Sequence, residues 1–197
     1  MNLIIKKLTP ALVDDYARFF DETYHNEAGH GEKCYCVTHC ADRAYKNGGA
    51  HWYNIPEERR THGLQRVKDG DIQGYLAYDG SVPVGWCNAN DKENCKEIIA
   101  YWRDYGNVPI EKSKAGERVK MIFCFTIAPA YQNKGIATLM LQHICKEATE
   151  EGYHFLEGNT HLKFFQDGFR GPLALYEKCG FIIHAEKEGN VVVRKEL

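Results

Sequence analysis

Apolar residues in this chain recur at strand spacing and at helix spacing in turn, which predicts an α/β fold. A strand is predicted over 3–7, and a helix with a proline in its first turn is predicted over 11–20. The dipeptide Asp79-Gly80 separates two apolar and aromatic runs, 74–78 and 81–86, as in a two-residue β-hairpin. The first half therefore predicts a helix followed by two antiparallel strands.

The most apolar segment, 119–127, predicts a strand in the middle of the sheet. Strict alternation would place one set of side chains on one face, while Ile122 and Cys124 keep the other face apolar. The residues predicted to share the first face are Val119, Met121, Phe123, Phe125 and Ile127.

The pattern after this strand predicts a second alternation of helices and strands. The predicted elements are a helix over 135–151, a strand over 153–157, a helix over 173–179 and a final hairpin of 181–185 with 191–195. Two polar stretches, 21–65 and 88–118, carry weaker signals, with a short helix predicted near 93–102. No repeat or linker composition divides the chain, so one domain over 1–197 is expected.

Charge and composition exclude several classes of partner. Lys and Arg total 25 against 27 Asp and Glu, so no basic field is present that would hold nucleic acid. No secretion signal and no run of about 18 apolar residues occurs, so no membrane partner is expected and the predicted compartment is the cytoplasm. The eight cysteines are spread along a chain with an ample core, which favours reduced thiols.

The segment 126–138 combines the features of a pyrophosphate cradle. A buried strand breaks at Pro129, turns, and starts a helix near Gly135. The first N–H groups of a helix have no partner within it and lie at the positive end of its dipole, so they bind anions. Walker and dinucleotide motifs need further glycines that this turn lacks, and by itself the pattern fits a plain strand-to-helix loop equally well.

Two motifs make the prediction specific. Gln132-Asn-Lys-Gly-Ile-Ala137 resembles the acyl-CoA signature of the GNAT superfamily of N-acetyltransferases, and Ile127-Ala-Pro129 resembles the strand end that precedes it. Downstream, Ala174-Leu-Tyr-Glu-Lys-Cys-Gly-Phe181 resembles the family's second signature. The resemblance covers about 70–197 well and implies a mixed, mostly antiparallel sheet with helices on both faces.

The resemblance also implies the site. Acetyl-CoA would be the cosubstrate, no metal would be needed, and the phenol of Tyr176 would protonate the departing thiolate. A main-chain N–H near Phe125 to Ile127 would meet the oxyanion. The residues implied to bind the cofactor are Phe125 and Ile127 for the pantetheine arm, and Gln132, Asn133, Lys134, Gly135, Ile136, Ala137 and Thr138 for the pyrophosphate.

Two departures from the family pattern affect the expected chemistry. Some members carry a glutamate early on the central strand, where this chain has Lys120 and Met121, so a water chain, Glu157 or a histidine would have to serve as base. Many members have an asparagine seven residues before the tyrosine, where this chain has Phe169, and Asn159 is the alternative contact.

The polar stretch 21–65 offers two further interpretations. Three cysteines lie close to histidines and could hold zinc, but the second ligand pair of a usual zinc site is missing, which favours reduced thiols instead. This thiol-rich stretch contains His30, Cys34, Cys36, His39 and Cys40. Aromatic and imidazole side chains could form the wall that binds a cationic amine, or could simply cap the core. These are Tyr24, His25, Tyr35, His51, Trp52 and Tyr53.

The sequence therefore predicts direct transfer of an acetyl group from acetyl-CoA to a primary amine of a small molecule or peptide. A CoA-binding sensor or scaffold without turnover is the alternative, and a homodimer is left open. A zinc-dependent interaction protein built on 34–40 is the third hypothesis.

Overall fold

A seven-stranded mixed sheet forms the centre of the protein. The computed structural model describes residues 3–23, 33–44, 56–163 and 169–197. The strands are β1 (Leu3–Lys7), β2 (Gly74–Asp79), β3 (Val82–Asp91), β4 (Val119–Ile127), β5 (Phe155–His161), β6 (Ile182–Lys187) and β7 (Asn190–Glu196). Their order is β1-β2-β3-β4-β5-β7-β6, and every neighbouring pair is antiparallel except the parallel pair β4 and β5.

Helices cover both faces of the sheet, which confirms the predicted α/β fold. They are α1 (Val13–Glu22), α2 (Asp42–Ala44), α3 (Pro56–Lys68), α4 (Lys96–Tyr105), α5 (Ile136–Glu150) and α6 (Leu173–Lys178). Helices α5 and α6 pack on one face, around Met140, Leu141 and Tyr176. On the other face, α1 and α3 pack over β2 and β3, and α4 packs over β4 and β7. Of the helices described, none has the length and apolar character needed to cross a membrane.

Most predicted elements are present, and the differences have local causes. The first helix begins at Val13 because Pro10–Leu12 forms a 3-10 turn. Strand β5 runs to His161 because it continues its pairing with β7. Helix α3 was missed because its buried side includes Arg59, Gly63 and Arg66, which give no apolar stripe.

A β-bulge in β4 corrects the predicted alternation. Cys124 pairs with Asn88 and Ile122 pairs with Ala89, so Phe123 has no partner on β3. The extra residue changes the facing of the strand. Phe125 consequently packs with α5 and α6, on the face opposite Met121 and Phe123, and the prediction that all three share one face is wrong.

Candidate functional site

The sheet opens beside the bulge. Strands β4 and β5 pair from Val119 with Phe155 to Ile122 with Gly158, where their pairing ends. From there β4 continues along β3 and β5 continues along β7. We call the opening between the two strands the fork.

The backbone of β4 directs polar groups into the fork. The Ala128 N–H donates to the Val84 carbonyl at 2.9 Å, which sets the phase of the antiparallel ladder. Because these hydrogen bonds alternate along a strand, the N–H and C=O groups of Phe125 and Ile127 point away from β3. Both residues were predicted as cofactor contacts, and their main-chain groups lie along one side of the fork.

The fork contains another part of the chain, the 169–171 segment before α6. The Phe125 N–H donates to the Phe169 carbonyl at 2.6 Å. The Tyr176 hydroxyl donates to the Arg170 carbonyl at 2.8 Å, and the Thr160 hydroxyl donates to the Gly171 carbonyl at 2.6 Å. Three successive carbonyls are thus held by β4, α6 and β5, and the Phe125 donor is occupied by the segment.

The loop after β4 has the conformation of an anion cradle. Asn133 and Gly135 both adopt left-handed backbone angles, with φ of 59° and 79°. Helix α5 starts at Ile136, so the unpaired N–H groups of its first turn follow the loop directly. The segment 132–135 is exposed, and no atom lies within 4 Å of where a Cβ of Gly135 would stand. The Gly135 side of the loop is therefore open, and N–H groups at a helix start are the kind of donor that binds anions.

Side chains of the same loop are arranged around this turn. The Gln132 amide nitrogen donates to the Ile127 carbonyl at 3.2 Å, which ties the loop to the end of β4. The Lys134 ammonium lies 5.1 Å from the centre of the Tyr131 ring. Ala137 and Thr138 are partly buried in the first turn of α5, and Ile136 packs in the core, so Ile136 can offer only its backbone.

Tyr176 is completely buried at the base of the fork. Its ring packs edge-on against Phe181 and Phe125, with ring centres 5.4 and 6.3 Å away. Burial, reinforced by the nearby Cys87 and Cys124 thiols, raises the pKa of the phenol well above its usual value. The hydroxyl is therefore a neutral proton donor at pH 7.

Comparison with known proteins identifies the family. The model of the acetyltransferase (GNAT) family matches residues 41–181. The chain belongs to this family. Among solved structures, PaiA N-acetyltransferase from Thermoplasma acidophilum, in complex with coenzyme A, superposes with a TM-score of 0.55 at 14% identity over 100% of both chains. A GNAT acetyltransferase from Streptococcus pneumoniae gives 0.52 at 15% identity, also over 100% of both. These likenesses show the fold, and no curated protein matches the sequence.

Within this GNAT domain, two residues bear on the base that the missing strand glutamate would have supplied: Glu157, the alternative carboxylate, and Lys120, which stands early on the central strand. Both are ion-paired. The buried carboxylate of Glu157 accepts from Lys92 Nζ at 2.6 Å and from Arg194 Nε at 2.8 Å. Lys120 donates to Glu151 at 2.6 Å, and burial lowers the pKa of its ammonium. Glu157 is therefore held as a structural carboxylate, which disfavours it as the base.

Phe169 and Asn159 both lie beside Arg170. The Phe169 carbonyl accepts from Phe125, and the residue is 44% exposed. With the Asn159 amide turned so that its oxygen faces Arg170, that oxygen accepts from the guanidinium at 3.3 Å. The same guanidinium lies 3.3 Å from His161 Nε2 and 5.1 Å from the centre of the Trp102 ring. Asn159 thus orients Arg170 in this conformation.

The predicted thiol cluster stays together only in part: Cys36 and His39 remain neighbours, with Cys36 Sγ 4.0 Å from His39 Nδ1. Cys34 is exposed, whereas Cys40 is buried and accepts from Arg66 at 3.7 Å. Tyr35 is buried, with its hydroxyl bonded to Asp21, as expected for an aromatic that caps the core. Six other predicted members lie outside the described residues: Tyr24, His25, His30, His51, Trp52 and Tyr53.

Gly158 sets the position of Tyr176 and provides a first prediction. A Cβ at this site would lie 2.7 Å from Tyr176 Cε1 and 2.9 Å from its hydroxyl oxygen. Since real side chains do not approach so closely, Gly158→Ala should displace the ring and lower the free energy of unfolding by about 1–3 kcal/mol, measured by urea denaturation. In a Tyr176→Leu background the same change should cost less; equal costs in the two backgrounds would refute this contact.

Proposed function

We propose that this GNAT protein transfers an acetyl group from acetyl-CoA directly to a primary amine of a small molecule or peptide. The observation that carries the proposal is the combination of an exposed left-handed loop, the first turn of α5, and a buried phenol at the fork. Acetyl-CoA supplies an activated thioester when bound. The loop and the fork supply the groups that would hold this cosubstrate and protonate the departing CoA thiolate.

Cofactor binding would use the cradle and the fork together. The N–H groups at the start of α5 would bind the pyrophosphate, with Gln132, Asn133, Lys134 and Thr138 adding polar contacts or charge. The main-chain groups of Phe125 and Ile127 would pair with the amide groups of the pantetheine arm. Because the Phe125 N–H now donates to Phe169, binding would exchange an internal hydrogen bond for one to the cofactor.

The transfer itself needs three tasks from the protein. An amine with a pKa of about 10.4 must lose a proton before it attacks, and a water chain or a histidine would take it. An N–H in the fork would then stabilise the oxyanion, a contribution of about 3 kcal/mol. As the new N–C bond forms and the C–S bond breaks, Tyr176 would give its proton to the thiolate, and the second proton, lost from the attacking nitrogen, would restore the phenol.

A ligand-binding experiment tests the cofactor assignment. Acetyl-CoA and CoA should raise the melting temperature, and NAD and ATP at matched concentrations should not. A ligand at a hundredfold excess over its Kd stabilises the native state by about 2.7 kcal/mol. No shift with either CoA compound would refute the assignment.

Two glycine variants locate the binding site within this experiment. Gly135→Ala and Gly189→Ala both place a side chain at a left-handed φ, 79° and 83°, with no atom within 4 Å. Both should cost a similar conformational strain. Only Gly135→Ala should reduce the shift caused by CoA, because Gly189 lies in the β6–β7 turn; equal reductions would place the cofactor elsewhere.

The second candidate function is a CoA-binding sensor without turnover. The ion pairing of Glu157 favours it, because this pairing leaves the carboxylate poorly placed to act as the base that turnover requires. A panel of amines followed by thiol release separates the two functions. Binding of acetyl-CoA without thiol release from any amine class would support the sensor.

A further inference from the structure

Two cysteines and a histidine from distant parts of the sequence meet on the face of the sheet opposite α5. The sulfur atoms of Cys36 and Cys124 lie 3.0 Å apart, and His39 Nδ1 lies 4.0 Å from Cys36 Sγ. The ligand atoms of the three residues all lie within 4.8 Å of one another. Cys36 and Cys124 are 88 positions apart in sequence, so this cluster exists only in the folded chain.

Each of the three side chains is positioned by its surroundings. The turn that carries Cys36 uses left-handed angles at Tyr35 and Cys36, with φ of 45° and 43°. The His39 ring stacks on Phe123, with centres 5.9 Å apart. Cys124 directly follows the bulge residue Phe123, on the same face of the sheet as α1 and α3. The bulge therefore brings the Cys124 thiol to the turn.

The chemistry of the three groups suits a thiophilic ion. Thiolate and imidazole are the ligands preferred by zinc, and two thiolates neutralise a divalent ion in a buried site. The Trp86 indole N–H donates to Cys36 Sγ at 3.1 Å, and the Asn88 amide donates to the His39 carbonyl at 2.8 Å. Outer hydrogen bonds of this kind orient metal ligands and increase affinity.

We propose that Cys36, His39 and Cys124 bind one zinc-class divalent ion. The ligand set differs from the sequence-adjacent cluster weighed above, because Cys124 takes the place of Cys34 and Cys40. The bound ion would fasten the 33–44 segment to β4, one residue from Phe125. This site is independent of the proposed acetyl transfer.

The test is a titration of metal-stripped, reduced full-length protein with Co(II) and Zn(II). Co(II) should bind one equivalent, give thiolate-to-cobalt charge-transfer absorption and tetrahedral ligand-field bands, and be displaced by Zn(II). Cys36→Ser, Cys124→Ser and His39→Gln should each weaken binding at least tenfold. Cys34→Ser and Cys145→Ser should bind as the unmodified chain does, because neither thiol belongs to the cluster.

Two results would overturn the proposal. The first is absence of thiolate-to-cobalt absorption in the unmodified protein, which does not depend on whether any variant folds. The second is equal Co(II) binding by the Cys36→Ser, Cys124→Ser and Cys34→Ser variants. If the two thiols instead form a redox pair, the first result would be accompanied by a Cys36–Cys124 disulfide when the protein is exposed to the oxygen of air. Intact mass measurement would detect this disulfide as the loss of two hydrogens.

Discussion

Glu157→Gln is expected to lower the free energy of unfolding by about 3–5 kcal/mol, because the carboxylate is the shared ion-pair partner of two cations in the interior. Glu157 on β5 is fully buried and joins Lys92, which follows β3, to Arg194 on β7. Lys92 is 3% exposed, so the neutral amide would leave its ammonium without a counterion. The midpoint of urea denaturation measures the loss.

An exposed ion pair provides the control for this substitution. Glu150 lies 3.9 Å from Lys146 on the surface of α5, so Glu150→Gln should change stability by less than about 0.5 kcal/mol. If Glu157→Gln were as mild as Glu150→Gln and yet abolished acetyl transfer, Glu157 would be a base and not a structural carboxylate. The pair of variants therefore separates the two roles of this residue.

Local sequence patterns predicted most of the sheet. The run Val119–Ile127 is apolar on both faces and lies in the middle of the sheet. The hairpin of β2 and β3 is present, but its turn is Gly80-Ser81, one residue later than predicted, because Asp79 pairs with Val82 at the end of β2. Helix α3 could not be predicted this way, because its buried side includes Arg66, a charged residue that interrupts any apolar pattern. The Arg66 guanidinium tolerates burial because it donates to the Val37 carbonyl and to Cys40 Sγ. Burial of a charged side chain depends on partners that the local pattern does not contain.

The candidate site was predictable only in part, for a similar reason. The loop 132–138 is contiguous in sequence, so its left-handed residues and helix start follow from local composition. The bulge at Phe123, in contrast, depends on the register between β4 and β3. The hydrogen bond from Phe125 to Phe169 joins residues that are 44 positions apart (169 minus 125). Neither feature is contained in a local sequence pattern. The cluster of Cys36, His39 and Cys124 could not be predicted for the same reason, because Cys124 is distant in sequence from the other two residues.

Tyr176→Phe is expected to reduce the rate of acetyl transfer by about 10²–10⁴-fold, the usual contribution of a positioned acid. Phenylalanine keeps the ring contacts with Phe125 and Phe181 and removes only the hydroxyl. The Arg170 carbonyl loses its donor, so unfolding should become easier by about 1–3 kcal/mol. The rate is measured as thiol release at saturating acetyl-CoA, below the melting temperature of the variant.

Tyr153→Phe is the matched control, because it also removes one phenol hydroxyl, which donates to Asp91 at 3.2 Å. It should lose stability to a similar or smaller extent and keep the transfer rate. A general acid acts only when the thiolate departs, so Tyr176→Phe should lower kcat while the CoA-induced melting shift stays unchanged. If both variants lost the same fraction of kcat, the Tyr176 hydroxyl would serve only to hold the Arg170 carbonyl in the fork, and the thiolate would have to take its proton from water.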